Sequence, residues 1–556
     1  MKRHFVNVKK NEKKGNLVLT TEYKNTVREA SYLGQKGYTI PKSILSEEDT
    51  EYLKNELYVK PNVFGGIGND EANSFYVYRE STKKFYLPRF YGIDRYGLPD
   101  KNEIGEGDDI DVVFPRQLRD YQEKIVKVYT DHVDTPICVG NKINGGGGIL
   151  EVYCGSGKTV MGLNVISLLK KKTLIIVHKE FLMNQWIERI EEFLPGARIG
   201  KIQGKTFDIE EKDIVIGMLQ SLYDKDFGAN AFSSFGLTII DEVHRIGSEQ
   251  FSKTLCKITT PYMLGISATV DRKDKLTKVL YMFIGNKIYA ANRKDDSLVS
   301  VRSINYISKD SEFNQVEYDY RGNPKYSTMI TKLCAHGPRS DFIIQVIYDL
   351  LKEDVTKQIM ILGHNRSLLK YLYEGITHRN IGTIGYYVGG MKQKDLQETE
   401  TKQIVLATYA MASEALDIKT LSTLVMVTPK TDITQSVGRI LREKHSNPVV
   451  VDITDSHDLF QKQWVKRRRF YKKCNYRIRQ IDSNAYNGMV MDWNADKSWK
   501  WVFEPKMNNE TKNDVNMEVD DDDDDNDDDD ENPVVKPIKG LQQGQCMINT
   551  TAFDNL

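Results

Sequence analysis

Residues 151–160, EVYCGSGKTV, decide how the rest of the chain reads. An apolar run, 148–153, feeds a turn bracketed by Gly155 and Gly157, and Lys158 and Thr159 stand where a new helix begins. Glycine lets the backbone come close to an anion, so that successive N–H groups face its oxygens while the helix start adds partial positive charge. The Gly155, Ser156, Gly157 turn therefore reads as a phosphate-binding loop, with Lys158 as point charge for β and γ phosphates and the Thr159 hydroxyl as a magnesium ligand. The general pattern GxxxxGK[ST] asks for Gly at 152, where this chain has Val152. Taken alone the loop is also compatible with an ordinary strand-turn-helix.

Stretches on either side decide between the two. Upstream, FPRQLRDYQEKIVKVY (114–129) repeats Leu118, Tyr121 or Gln122, Ile125 and Val128 at helical spacing, and Arg119 and Gln122 sit at its start, placed to read a purine. Downstream, strand and helix alternate: 161–169 helical, KTLIIVH (172–178) a buried strand, 180–193 a helix with apolar Phe181, Trp186, Ile190 and Phe193, and 213–222 a strand then a turn. Such alternation predicts a parallel sheet, with ligands at the carboxyl ends of its strands. The strand in GLTIIDEVHRIG ends in Asp241 and Glu242, with Asp241 83 residues after Lys158. One carboxylate there holds magnesium opposite Thr159, and its neighbour orients or deprotonates a water. YMLGISAT ends in Ser267 and Thr269, small hydroxyls suited to coupling the motion of one lobe to another.

Length and charge set the outer bounds. At 556 residues the chain exceeds a single core, and no run of about 18 apolar residues is present. The start MKRHFVNVKKNEKKGN has no apolar segment behind its charges, so a soluble protein that is not secreted is expected. Six scattered cysteines without a CxxC pair point to a reducing compartment and no structural zinc. The net charge of zero averages two unlike regions. Residues 508–556 hold 3 basic and 15 acidic side chains, leaving 1–507 with 75 against 63, a net of +12. The acidic run at 520–531 repels itself and buries nothing, which predicts disorder, whereas the basic body suits a polyanion.

The glycine loop, DEVH, SAT and later QSVGRILR, in this order, resemble a superfamily 2 helicase of the DExH type. VHKEFLMNQWIERIEEFLPGARIGKIQG and DEVHRIGSEQFS are similar, more narrowly, to helicases of large DNA viruses, among them the poxvirus transcript-release helicase, and these are related to the XPB group of DNA translocases. The resemblance runs from about residue 32 to 476. It implies two tandem RecA-like α/β lobes, ATP with magnesium in the cleft, and nucleic acid across both lobes, DNA favoured over RNA. It further implies that Arg439 and Arg442 act as arginine fingers, that Gln435 faces the attacking water and His244, and that Glu414 with Asp417 link ATP state to the strand. Arg245, Val270, Lys275 and Ala415 depart from the family's pattern without removing a catalytic group. A viral protein is implied, acting in transcription in the host cytoplasm and packaged in the particle. The alternatives are an RNA helicase on transcripts, or a non-unwinding ATP switch that docks on the transcription machinery through the acidic tail.

The expected organisation is a small α+β module (1–110), a first lobe (111–290), a connection (291–335), a second lobe (336–485) and an extension with the acidic tail (486–556). In the module, NLVLTTEY, SFYVYRE and KKFYLPRFYGI read as β-like, and Ser46 caps a helix to Leu57. Its tyrosine-rich segment, 75–96, either offers stacking faces to bases or packs on a neighbouring lobe. In the second lobe, 341–353 and 367–375 read as helices, QIMILGH, TLVMVTP and NPVVVDITD as strands, QIVLATYAMASEALDI as strand into loop, and DITQSVGRILRE as a helix. FQKQWVKRRRFYKKCNYRI is a basic helix with Trp464, Tyr471 and Ile478 packed and Lys466 to Arg469, Lys472 and Lys473 mostly outward. Those charges are either solvated or in contact with phosphate.

Overall fold

The computed structural model describes residues 17–60, 74–134, 146–153, 155–228, 230–243, 249–268, 270, 276–291, 299–414, 416, 418–441, 445, 447–488 and 497–505. His244, Thr269, Asp417, Arg442, the side chain of Glu414 and everything from 506 onward, the acidic tail included, lie outside these residues.

Runs such as TLIIV (Thr173–Val177) and LTIID (Leu237–Asp241) are buried along their whole length, the pattern of strands covered on both faces. Among the described residues they assemble into two eight-stranded sheets. The first runs Thr206–Phe207, Ile199–Gln203, Ile214–Met218, Thr173–Val177, Leu237–Asp241, Tyr262–Ser267, Gly146–Glu151, Lys287–Ala290, parallel except for its terminal Thr206–Phe207. The second runs Ile384–Tyr387, Ile404–Thr408, Gln358–Gly363, Leu421–Met426, Val449–Asp455, Ser300–Tyr306, Arg477–Asp482, Lys500–Phe503, parallel except for the last. With the antiparallel edge strands set aside and each lobe numbered from its own first strand, both sheets have the order 3-4-2-5-6-1-7. The chain is two tandem RecA-like α/β lobes.

The second sheet reaches beyond residues 336–485 on both sides. Ser300–Tyr306, within the stretch read as a connection, lies between Val449–Asp455 and Arg477–Asp482. Its sequence, SVRSINY, hides a core strand because Arg302 interrupts the apolar pattern. That guanidinium is fully buried and bonded twice to Glu353, at 2.7 Å each, which removes the cost of an unpaired charge. At the other end Lys500–Phe503 pairs with Arg477–Asp482, and Trp499 is buried in the core.

Among the described residues the N-terminal module carries a mostly antiparallel five-stranded sheet, a two-stranded one and three helices. Glu47–Glu56 is capped by Ser46, whose hydroxyl accepts from the Asp49 N–H. NLVLTTEY is not a strand: Thr20 accepts from the Tyr23 N–H, starts helix Thr21–Ala30, and turns Val27 into the core. KKFYLPRFYGI splits at Pro88 into strand Lys84–Leu87 and helix Arg89–Tyr96, because proline cannot donate to the sheet but tolerates a helix start. Helix Arg89–Tyr96 packs on Thr277–Ile284 of the first lobe, and buried Arg89 donates to the carbonyls of Thr260 (3.0 Å) and Pro261 (2.8 Å). The module and that lobe share one core. Of its aromatics, Phe85 and Tyr96 are buried while Tyr76 stays exposed.

Candidate active site

Strand Gly146–Glu151 delivers the glycine turn to the carboxyl edge of the first sheet. Val152, where the general loop pattern has glycine, extends the pairing: its N–H donates to the Ser267 carbonyl (2.8 Å) and its side chain is fully buried. Gly155 and Gly157 have φ of 85° and 82°, in the left-handed region that disfavours side chains. Gly157 caps helix Lys158–Leu169, and a Cβ there would lie 2.3 Å from Gln122 Nε2. Lys158 and Thr159 thus open a helix immediately after the turn.

Gln122 belongs to helix Asp120–Asp134, which begins one residue after Arg119. Its Nε2 donates to the Ser156 carbonyl (2.8 Å), its Oε1 accepts from the Arg119 N–H (3.1 Å), and the Tyr121 hydroxyl donates to the same Ser156 carbonyl (3.0 Å). The two residues expected to read a purine are therefore at the loop, and Gln122 also ties it down. Arg119 and Gln122 line a cleft of about 680 Å³ with Gly155, Gly157, Lys158 and Thr159 on one side and Tyr387, Glu400 and Lys419 of the second lobe on the other.

Strand Leu237–Asp241 brings the two carboxylates to the same edge. Glu242 takes φ of 51°, uncommon for a side chain with a Cβ, a conformation that costs on the order of 1 kcal/mol. From there its Oε1 meets Lys158 Nζ at 2.6 Å, both side chains mostly buried. Asp241 is buried and accepts at Oδ2 from Trp186 Nε1 (2.9 Å). Burial, then the neighbouring Glu242 charge, pushes the Asp241 carboxyl up to about 6, with Lys158 opposing. Trp186 is the functional residue that sequence reasoning missed. It reads as one more apolar position on helix Glu180–Phe193, yet a buried indole N–H needs an acceptor, and that requirement was the available signal.

Ser267 ends strand Tyr262–Ser267 beside this site. In the second lobe, residues after strand Ile404–Thr408 form helix Tyr409–Glu414 instead of loop. Among the described residues, DITQSVGRIL forms a helical turn, Thr434–Val437, that tightens into a 3-10 turn, Gly438–Leu441, instead of one continuous helix. Gln435 lies on the first and Arg439 on the second. The 3-10 turn directs the buried Arg439 guanidinium at the Leu416 carbonyl (2.8 Å), so this arginine fastens the segment that follows Tyr409–Glu414.

The family model described as "Type III restriction enzyme, res subunit" matches residues 116–272, which enclose the glycine turn, Trp186 and both carboxylates. Named "Putative ATP-dependent RNA helicase L396", a protein of Acanthamoeba polyphaga mimivirus is 33% identical over 455 residues, 80% of this chain and 85% of its own length. "Putative ATP-dependent RNA helicase QP509L" of African swine fever virus (isolate Tick/South Africa/Pretoriuskop Pr4/1996) is 27% identical over 59% of this chain and 68% of its own. Among solved structures, "S. cerevisiae Dbp5 bound to RNA and ADP BeF3" superposes with a TM-score of 0.46 at 11% identity, covering 66% of this chain and 91% of that one. Because the mimivirus similarity runs through both lobes at that identity, the chain belongs to the superfamily 2 ATP-dependent helicases of large DNA viruses.

Proposed function

We propose that this helicase couples ATP hydrolysis to movement along a nucleic-acid strand during viral transcription. The observation that carries the reading is the Lys158–Glu242 pair, 2.6 Å apart at the glycine turn and next to buried Asp241. In this reading Lys158 exchanges Glu242 for the β and γ phosphate oxygens of ATP, and the freed carboxylate orients the attacking water and accepts its proton. Water oxygen bonds to the γ-phosphorus as the bond to the β-bridging oxygen breaks, and ADP leaves. Positioning and fixed charge are what such a transfer requires.

Thr159 and Asp241 offer the hydroxyl and carboxylate oxygens that a hard divalent cation takes, and a cation suits a carboxyl that burial holds at about 6. Held by Thr159 and Asp241, magnesium would neutralise charge on the phosphates. From the second lobe Gln435 faces the water and Arg439 with Arg442 meets the γ-phosphate, while His244, Ser267, Thr269, Glu414 and Asp417 relay nucleotide state to the strand.

Two features bear on the polymer. The mimivirus and African swine fever virus relatives are named RNA helicases, which supports RNA. Likeness to the transcript-release and XPB groups supports DNA, and with it action in the host cytoplasm and packaging in the particle. Steady-state ATP hydrolysis with no polymer, single-stranded DNA, duplex DNA or single-stranded RNA separates them. Stimulation by DNA is expected, stimulation by RNA alone makes transcripts the track, and no stimulation by any polymer overturns the proposal in favour of a partner-gated switch.

A further inference from the structure

The helix Asp458–Lys473 of the second lobe has two faces of opposite kind. Phe460, Trp464, Arg467 and Tyr471 are buried. Arg467 is fixed by Asp452, with Nε and Nη2 at 2.8 and 2.9 Å from its two carboxylate oxygens, while Nη1 donates to the Lys430 carbonyl and the Tyr471 hydroxyl donates to Asp452. That buried pair, with both side chains about 1% exposed, sets the rotation of the helix about its axis. Lys462, Lys466, Arg469 and Lys473 are all exposed and recur at intervals of four, three and four. At 3.6 residues per turn they form one stripe, about 16 Å long.

The stripe is not the ordinary surface of this protein. Between Asp458 and Asp482 the sequence contains no Asp or Glu. Exposed Asp458 opens the helix four residues before Lys462, the spacing at which Glu249 pairs with Lys253 (2.7 Å) elsewhere, and from Lys462 onward the exposed stripe carries cations alone, two pairs of them four residues apart. Like charges at that spacing destabilise a helix by about 0.2–0.5 kcal/mol per pair. A row of them is thus a liability to the fold, and one that an anion removes. A line of cations with one-turn spacing and no apolar or acidic residue among them matches a phosphate backbone and reads no sequence.

We infer that this stripe is a phosphate track, a contact with the backbone of the nucleic acid on the outer flank of the second lobe, separate from the nucleotide cleft. The inference rests on the helicase reading above. Neutralising the stripe flattens the salt dependence of binding, because each duplex phosphate contact contributes a slope of about 0.9 in log K against log salt.

The test uses the full chain with Lys462, Lys466, Arg469 and Lys473 all changed to Gln, against a second variant with the three lysines changed to Arg. Binding of a fluorescent duplex is titrated from 50 to 200 mM salt, with ATP hydrolysis lacking polymer and thermal unfolding measured alongside. The Gln variant is expected to lose about 3 to 4 from the slope, with polymer-free hydrolysis unchanged and Tm equal or higher, while the Arg variant keeps the wild-type slope. An unchanged slope in the Gln variant overturns the track and leaves the stripe to an acidic protein partner. If the wild-type chain binds no nucleic acid, the helicase reading fails together with the track.

Discussion

The two lobes share a strand order and differ in what ends their strands. In the first lobe strand 1 runs into the glycine turn and strand 5 into Asp241 and Glu242, carboxylates whose partners are Lys158 and the Trp186 indole. In the second lobe strand 5, Leu421–Met426, runs into Thr428, whose hydroxyl accepts from the His364 N–H (3.1 Å) and whose carbonyl accepts from the Tyr409 hydroxyl (2.6 Å). Burial, then the Lys430 charge, lowers the His364 imidazole to about 4, so this cluster is neutral at physiological pH. The buried carboxylates of that lobe, Asp452 and Asp455, sit on strand 6 and are each held by an arginine through two bonds, Arg467 and Arg339. A bidentate arginine occupies a carboxylate permanently, whereas a lysine beside a strained Glu242 can be exchanged for phosphate. On the proposed reading, one scaffold thus carries arginine-held carboxylates on strand 6 of the second lobe and carboxylates set for chemistry at the end of strand 5 of the first.

That contrast breaks if the two kinds of carboxylate respond alike to substitution. Asp452→Asn leaves Arg467 charged and buried without its counter-ion, and is expected to lose about 3–5 kcal/mol of stability in denaturant unfolding. Hydrolysis per folded molecule should stay within a factor of a few. Asp241→Asn is expected to do the reverse, abolishing hydrolysis while stabilising the fold. A carboxyl raised from its ordinary 3.8 to about 6 contributes stability that is complete below 3.8 and lost as pH rises through about 6. Asn escapes that loss, so its advantage should be near zero at pH 4 and on the order of 3 kcal/mol at pH 7.5. A constant difference across the range would mean that Asp241 is not buried as an anion.

Trp186→Phe keeps the ring and removes the N–H that orients Asp241. Outer-sphere partners of this kind are worth about 10- to 100-fold in metal affinity, so magnesium titration of ATP hydrolysis should shift by that amount. Smallest is Gln122→Ala, which removes the hydrogen bond to the Ser156 carbonyl and the one accepted from the Arg119 N–H, about 1 kcal/mol each. A rise of a few-fold in KM for ATP with little change in kcat is expected. Loss of preference for ATP over GTP in the same variant would show that Gln122 reads the purine as well as bracing the loop.

Much of this was legible because it is local. Buried runs between turns marked the strands of the first lobe, Ser46 marked a helix of the N-terminal module, and the glycine spacing marked the loop. What escaped depends on partners far away in the chain. Arg302 reads as polar until Glu353 neutralises it, and Arg467 reads as outward until Asp452 does the same. Trp186 reads as core until its N–H finds Asp241, 55 residues on. The 3-10 turn at Gly438–Leu441 aims the Arg439 guanidinium at the Leu416 carbonyl, 23 residues back in the chain, a contact that no helical periodicity records.

The central claim is that Glu242, not the Lys158 clamp alone, turns a phosphate-binding lobe into a hydrolase. Glu242→Gln keeps the shape of the side chain and removes its basicity, so ATP hydrolysis and ATP binding should be measured together on this variant, at saturating nucleic acid. The expected result is a fall in kcat of about 10²–10⁴-fold with ATP still bound. Hydrolysis persisting near the wild-type rate, with ATP bound equally well, would contradict the assignment.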